Sequence, residues 1–193
     1  AELLRDALDP DEPAMTPETQ RRFLSNIIAD TDRLTRLLAQ LRDLARAETL
    51  PTPGACTLAA FLPDWAETLA GLKVIWNGDI ETEVALPTES LQMVLGHLAE
   101  NAAQHGAQRL SLDAKADGAV LSLRVCDDGP GIDPQNRDQI FESFFTTQQT
   151  RGGTGLGLAI VRASLGAYRG TITLADSGPL PGACFVLTLP RNQ

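Results

Sequence analysis

Apolar residues recur on alternating three- and four-residue steps through the first quarter of the chain. Phe23, Ile27, Leu34, Leu37, Leu41 and Leu44 make the series, with Asp30 the one polar break. That period predicts a single long helix running to about Glu48 and carrying a heptad seam. Thr16-Pro17-Glu18 supplies the cap and first-turn chemistry to open it. An earlier helical stub, AELLRDAL at 1–8, is cut off by Asp9-Pro10-Asp11-Glu12-Pro13. The long seam could pack on its own domain, or form half of a helical hairpin that dimerises into a four-helix bundle. The charged residues Arg33, Arg36, Arg42, Asp43 and Arg46 leave only a narrow apolar stripe, which favours the bundle. Leu50-Pro51-Thr52-Pro53-Gly54 is the linker, and a domain boundary belongs there.

Beyond the linker the period changes. Short strands are predicted at 55–58, 72–77 and 80–85, with a helix at 59–70. Pro87-Thr88-Glu89-Ser90 opens a helix whose buried stripe is Leu91, Val94, Leu95, Leu98 and Ala102. Strands at 108–114 and 119–126 flank an Asp117-Gly118 turn. An irregular stretch rich in glycine and threonine fills 127–153, followed by a glycine-led helix and strands at 170–175 and 183–189. This order predicts an α+β fold: a two-layer α/β sandwich, its mixed sheet covered on one face by helices, preceded by the long helix. The expected division is a partial helical hairpin at 1–49, a linker at 50–54 and a second domain at 55–193.

Composition narrows the partners. A net charge of −9 over 193 residues argues against nucleic acid, whose backbone needs clustered Lys and Arg. No run approaches the length of a membrane span, so direct membrane contact by this stretch is not expected. Cys56, Cys126 and Cys184 are odd in number, far apart and set among apolar residues; they read as buried thiols of a reducing compartment, with no zinc spacing. The chain begins at Ala1 inside a helical pattern, so it is expected to be a fragment.

Four stretches can carry chemistry. Gly153-Thr154-Gly155-Leu156-Gly157-Leu158 lets a backbone approach a ligand and feeds a helix N-terminus, which suits phosphate. Neither a Walker lysine nor the acidic residue of a dinucleotide fold accompanies it. His97, Asn101 and His105 share one helix face. A zinc site there lacks further ligands, whereas the Asn101 amide suits a hydrated Mg²⁺ that phosphates also hold. Asp127 continues the apolar row Leu121, Leu123 and Val125, a costly place for a carboxylate unless something donates to it. The exocyclic amine of a base would do so, and an Asx-type turn at Asp128-Gly129-Pro130-Gly131-Ile132 is the structural alternative. In Ile140-Phe141-Glu142-Ser143-Phe144-Phe145-Thr146-Thr147, phenylalanines would anchor a lid-like loop. Thr146, Thr147 and Arg151 could then reach phosphate oxygens. With lysine only at 73 and 115, Arg151 is the best cation for a terminal phosphate.

In this order and spacing the four pieces resemble the ATP-binding domain of sensor histidine kinases, within the superfamily of DNA gyrase, MutL and the ninety-kilodalton heat-shock chaperone. His97–His105 resembles the N box, Asp127–Ile132 the first glycine box, Phe141–Thr147 the F box and Gly153–Leu158 the second glycine box. Residues 18–49 are similar to the second helix of the family's dimerisation and phosphotransfer domain. The resemblance implies ATP and Mg²⁺, with Asn101 coordinating the ion and Asp127 reading the adenine amine. Gly129, Gly131 and Ile132 would shape the pocket, and Gln104 and His105 would lie near phosphate or ribose. Thr154, Gly155, Leu156 and Gly157 would cradle phosphates, with Gly153 of the same box also binding the nucleotide, under a lid from Phe141 to Gly152 that includes Phe145, Thr146, Thr147 and Arg151.

The implied reaction is in-line transfer of the γ-phosphoryl group to a histidine, for relay to a response regulator receiver domain. Homodimerisation through the hairpin and a cytoplasmic location, under a parent that could be membrane-anchored, are implied too. The family's acceptor histidine and its flanking run have no match: the only histidines are His97 and His105. This stretch should therefore bind ATP without phosphorylating itself. Hydrolytic relatives carry Glu where His97 stands, which argues against an ATPase. An anti-sigma-type serine kinase and a non-catalytic nucleotide-binding scaffold are the alternatives.

Overall fold

The computed structural model describes residues 16–47, 52–148 and 153–192. The expected stub at 1–8, its break at 9–13, Glu48, Leu50 and Pro51 of the linker, and Arg151 and Gly152 of the lid lie outside the described residues. The chain divides into two units, Ala1–Ala39 and Gln40–Gln193.

Helix α1 spans Pro17–Ala47 and contributes to both units. Thr16 caps it: its carbonyl accepts from the Gln20 N–H at 3.0 Å and its hydroxyl from the Thr19 N–H at 3.3 Å. Within the first unit, Leu24, Ile27, Ile28, Leu34 and Leu38 remain exposed.

The second unit is built on a five-stranded sheet. Its strands are β1 (Lys73–Gly78), β2 (Arg109–Asp117), β3 (Val120–Asp127), β4 (Thr171–Leu174) and β5 (Cys184–Pro190). They lie in the order β1-β2-β3-β5-β4, with β1 and β2 parallel and every other pair antiparallel. Among the described residues, three α-helices lie wholly within this unit: α2 (Leu62–Thr68), α3 (Thr88–Gln104) and α4 (Gly157–Ala167).

Register explains the core. Leu112, Val125 and Phe185 stand side by side across β2, β3 and β5, as do Ala114, Leu123 and Leu187. These rows are buried, together with Leu91, Val94, Leu95 and Leu98 of α3 and Val161 and Leu165 of α4. Alternation leaves Ser111, Asp113, Ser122, Arg124 and Thr188 on the other face, so helices cover one face only. The two-layer mixed-sheet architecture is as the sequence predicts.

Three details differ from expectation. The strands predicted at 55–58 and 80–85 are single bridges, Cys56 to Val84 and Val84 to Arg191. Gly78 at φ +84° and the Asp79–Thr82 turn interrupt regular pairing there. Helix α2 is shorter than predicted, Leu62–Thr68 rather than 59–70. Finally, the expectation of three free thiols is corrected. Cys126 and Cys184 are register partners in β3 and β5, Cα atoms 4.0 Å apart, and they form a disulfide; only Cys56 is a free, buried thiol among the described residues. Spacing along the chain carried no sign of this, because the pairing is set by strand register across 58 residues.

Candidate nucleotide site

A cavity of about 350 Å³ opens between α3, the end of β3 and the loops on either side of residue 150. Each wall follows from local sequence. The i, i+4, i+8 spacing on α3 brings His97, Asn101 and His105 to one wall, with Gln104 beside them. Gly131 and Ile132 come from the turn after β3, and Phe145, Thr146 and Thr147 from the aromatic segment. Gly153, Thr154, Gly155 and Gly157 close the far side, where α4 begins.

Asp127 is the most constrained polar residue of the wall. It is only 7% exposed, at the end of the buried β3 row. Its Oδ1 accepts from the Gly129 N–H at 2.8 Å and the Ala183 N–H at 3.2 Å. Its backbone N–H donates to the Ala183 carbonyl, and its carbonyl accepts from Gly182. Two residues of the returning chain thus face one, which is a β-bulge. No described residue donates to Oδ2. Burial pushes the carboxyl above the usual carboxylate range, against the pull of the Gly129 and Ala183 hydrogen bonds. A Cβ on Gly182 would overlap Asp127 Oδ1, so glycine is required for the chain to pass this close.

Neighbouring Asp128 points elsewhere and does a structural job. It accepts from the Gln108 and Arg109 N–H groups and from Arg109 Nε, all at 2.8 Å, tying the turn to β2. The Arg109 guanidinium, with these backbone donors, holds its carboxyl down to about 2.

At the opposite end the loops grip each other through backbone. Phe144 N–H donates to the Gly155 carbonyl at 2.9 Å, and Gly153 N–H to the Gln148 carbonyl at 3.0 Å. Gly155 has φ +71°, and a Cβ there would run into the backbone of Phe144 and Phe145. Phe141 anchors the segment, edge-on to Phe185 with ring centroids 6.3 Å apart. Phe145 is half-buried, whereas Phe144 is exposed and left-handed at φ 70°, so two of the three phenylalanines anchor the loop rather than all three.

Two residues singled out in the sequence stand outside the lining. Gly129 lies behind Asp127 as its hydrogen-bond donor, and the Leu156 side chain is fully buried in the core as the N-cap of α4. Several lining residues carried no sequence signal. Gln40, at the start of the second unit, accepts a hydrogen bond from the Thr154 hydroxyl. Glu100 accepts from Gln104 Nε2 at 3.2 Å. Asn136 and Ala183 line the cavity too, as do Ile140 and Leu158 from the aromatic and glycine-rich stretches already singled out. His97 Nε2 is buried without a hydrogen bond, 3.8 Å from Asp43 Oδ2. Burial lowers its pKa, although Glu100 and Asp43 pull it the other way.

The arrangement fits a nucleotide. It offers one buried acceptor with an oxygen to spare, an apolar rim, and a glycine turn leading into a helix N-terminus. Among the described residues no three His, Cys, Asp or Glu side chains gather as a metal site. The Asn101 amide oxygen on this wall is a ligand type that an ion held by phosphate oxygens and water also accepts.

Comparison with known proteins agrees. Residues 87–193 match the family model for the histidine kinase-, DNA gyrase B-, and HSP90-like ATPase. The sensor-like histidine kinase SenX3 of Mycobacterium tuberculosis is 32% identical over 191 residues, covering 90% of this chain and 46% of SenX3. The chain thus spans about half the length of the curated relatives it matches. Among solved structures, histidine kinase AdeS of Acinetobacter baumannii has a TM-score of 0.69 at 22% identity, over 98% of this chain and 92% of its own. Full-length ShkA in complex with AMPPNP has a TM-score of 0.70 at 25% identity, over 94% of this chain and 40% of its own.

Proposed function

Because the chain belongs to the histidine kinase-, DNA gyrase B-, and HSP90-like ATPase family, we propose that it is the ATP-binding catalytic portion of a sensor histidine kinase. In this reading residues 55–193 bind ATP, 50–54 link, and 1–49 belong to a dimerising helical hairpin. The observation that carries it is the Asp127 carboxylate: buried, fixed through Oδ1, and with Oδ2 unclaimed in the cavity wall. Oδ2 accepts from the adenine amine while Ile132 and Ile140 pack near the base. Thr154, Gly155 and Gly157 receive the phosphates at the start of α4. Thr146, Thr147 and Arg151 close over them. Asn101 offers its amide oxygen to Mg²⁺, which would neutralise phosphate charge as the γ-phosphoryl leaves.

Transfer to a histidine is favoured over hydrolysis by the N-box wall. The position four residues before Asn101 is His97, and burial disfavours its charged form. The nearest carboxylate on the helix, Glu100, is exposed and bonded to Gln104. Both histidines of the sequence sit on this wall, so the phosphoryl acceptor is a histidine outside these 193 residues and the chain alone does not autophosphorylate. We assign the onward partner to a receiver domain, dimerisation to the apolar stripe of α1, and the working location to the cytoplasm. No helix of the described residues is long and apolar enough to cross a membrane.

Calorimetric titration with a non-hydrolysable ATP analogue and Mg²⁺ tests the site. Micromolar-range binding that Asp127→Asn removes is the expected result. No binding by the unaltered chain would overturn it.

A further inference from the structure

We propose that Gln40 is a ligand-contacting residue of the cavity, its side-chain amide donating to an oxygen of the nucleotide's phosphate chain. The inference rests on the nucleotide reading above and brings the last turns of α1 into that site.

Burial on α1 falls on a polar residue. Gln40 is 9% exposed and is the one buried residue of the helix, whereas the nearby apolar Leu38 and Leu41 stay exposed. Apolar packing does not account for that pattern, and a polar contact does. The Thr154 hydroxyl donates to Gln40 Oε1 and itself accepts from the Leu156 N–H at 3.4 Å. This run of bonds leads from the start of α4 to α1 and ends on the amide. Among the described residues nothing accepts from Gln40 Nε2, and that atom is not sealed from solvent, in a residue that lines the cavity. An amide with its oxygen fixed and its nitrogen unclaimed is an aimed donor.

The same face of α1 has a second hold. Three residues on, Asp43 places its Oδ2 3.8 Å from the buried Nε2 of His97 on α3. This turn of α1 is thus seated against both the glycine stretch and the α3 wall.

The charge of the cavity makes a neutral donor count. Its described lining residues include no Lys or Arg, while Glu100, Asp127 and Asp133 bring carboxyl groups. Phosphate oxygens there depend on amide, hydroxyl and backbone donors, and Gln40 adds two N–H groups beside Thr154. By linkage, a nucleotide bonded to Gln40 tightens the last turns of α1. Anything that lifts those turns away weakens the nucleotide by the same factor.

The test titrates the full chain, Gln40→Leu and Gln40→Glu with the non-hydrolysable ATP analogue and Mg²⁺, and with adenosine. Gln40→Leu should weaken the analogue about tenfold. Gln40→Glu keeps an acceptor for Thr154 but turns an anion towards phosphate, and should weaken it by about tenfold more. Adenosine should bind all three chains alike, with the far-ultraviolet circular dichroism unchanged. A Gln40→Glu chain as tight as the parent overturns the phosphate contact and leaves Gln40 a support for Thr154. Tighter binding by either variant overturns it in favour of a turn that obstructs the cavity. Unchanged binding by both, or an equal loss for adenosine, overturns it too. No binding by the unaltered chain overturns the nucleotide reading instead. Amide hydrogen exchange at 40–47 should slow about threefold or more when the analogue binds, and less in Gln40→Leu; equal slowing in the two chains removes the link to α1.

Discussion

At one end of the cavity Asp127 is held through both backbone and side chain by Gly129, Gly182 and Ala183, on strands in the interior of the sheet. At the other end Gly153 to Gly157 is held by loops gripping loops, around a glycine and a phenylalanine in left-handed conformations. The first end is rigid because its residues belong to the packed core. The second is shaped by left-handed backbone at Phe144 and Gly155, with the buried Leu156 leading into α4. A nucleotide would meet an acceptor set by strand pairing for its base and a cradle set by loop backbone for its phosphates.

That contrast can be broken most severely at the rigid end. Asp127→Asn replaces an acceptor with a donor facing an amine, and nucleotide affinity should drop by about 2–3 kcal/mol in calorimetry. The empty protein should respond in the opposite sense. Because the folded carboxyl titrates above its ordinary value, its ionised form costs stability above that pKa. The cost fades as pH falls through it, so the Asn variant should melt higher than the parent at neutral pH.

Gly155→Ala attacks the loop end. Forcing a Cβ against the Phe144 and Phe145 backbone should weaken the ATP analogue roughly tenfold. Adenosine, which never reaches the cradle, should bind as before; an equal loss for both ligands would contradict the division.

A smaller effect is expected from pH alone. Asp128 titrates at about 2 when folded, below its ordinary value, so its contribution is whole above about pH 4 and lost as pH falls towards about 2. Urea midpoints of the parent should decline across that window, and those of Asp128→Asn should decline less. The slightest change should come from Phe144→Gly. The side chain is 64% exposed, so relief of its left-handed backbone should outweigh lost packing and raise stability by roughly 0.5 kcal/mol in denaturant unfolding.

The rigid end was the more legible in sequence. Strand alternation alone put Asp127 in line with Leu121, Leu123 and Val125, and the i, i+4 rule put His97, Asn101 and His105 on one face. The partners that make Asp127 work were hidden, because Ala183 arrives 56 residues later through strand pairing. Strand pairing hid the Cys126–Cys184 link for the same reason. Gln40 was masked differently: its helix advertises a heptad seam, and nothing in that period marks one polar residue as a neighbour of Thr154. At the loop end composition was readable but conformation was not, since a left-handed Phe144 defies residue preference.

The strand order has a consequence for the birth of the molecule. β5 is the last strand in the sequence, yet it lies between β3 and β4. A nascent chain emerging from a ribosome can pair β1, β2 and β3, but β4 has no sheet neighbour until Cys184–Pro190 has been made. Until then the edge of β3 that β5 will pair with stays open to association with other chains. Competence to hold a ligand thus arrives in one late step, when the segment that completes the sheet also delivers Ala183 to Asp127.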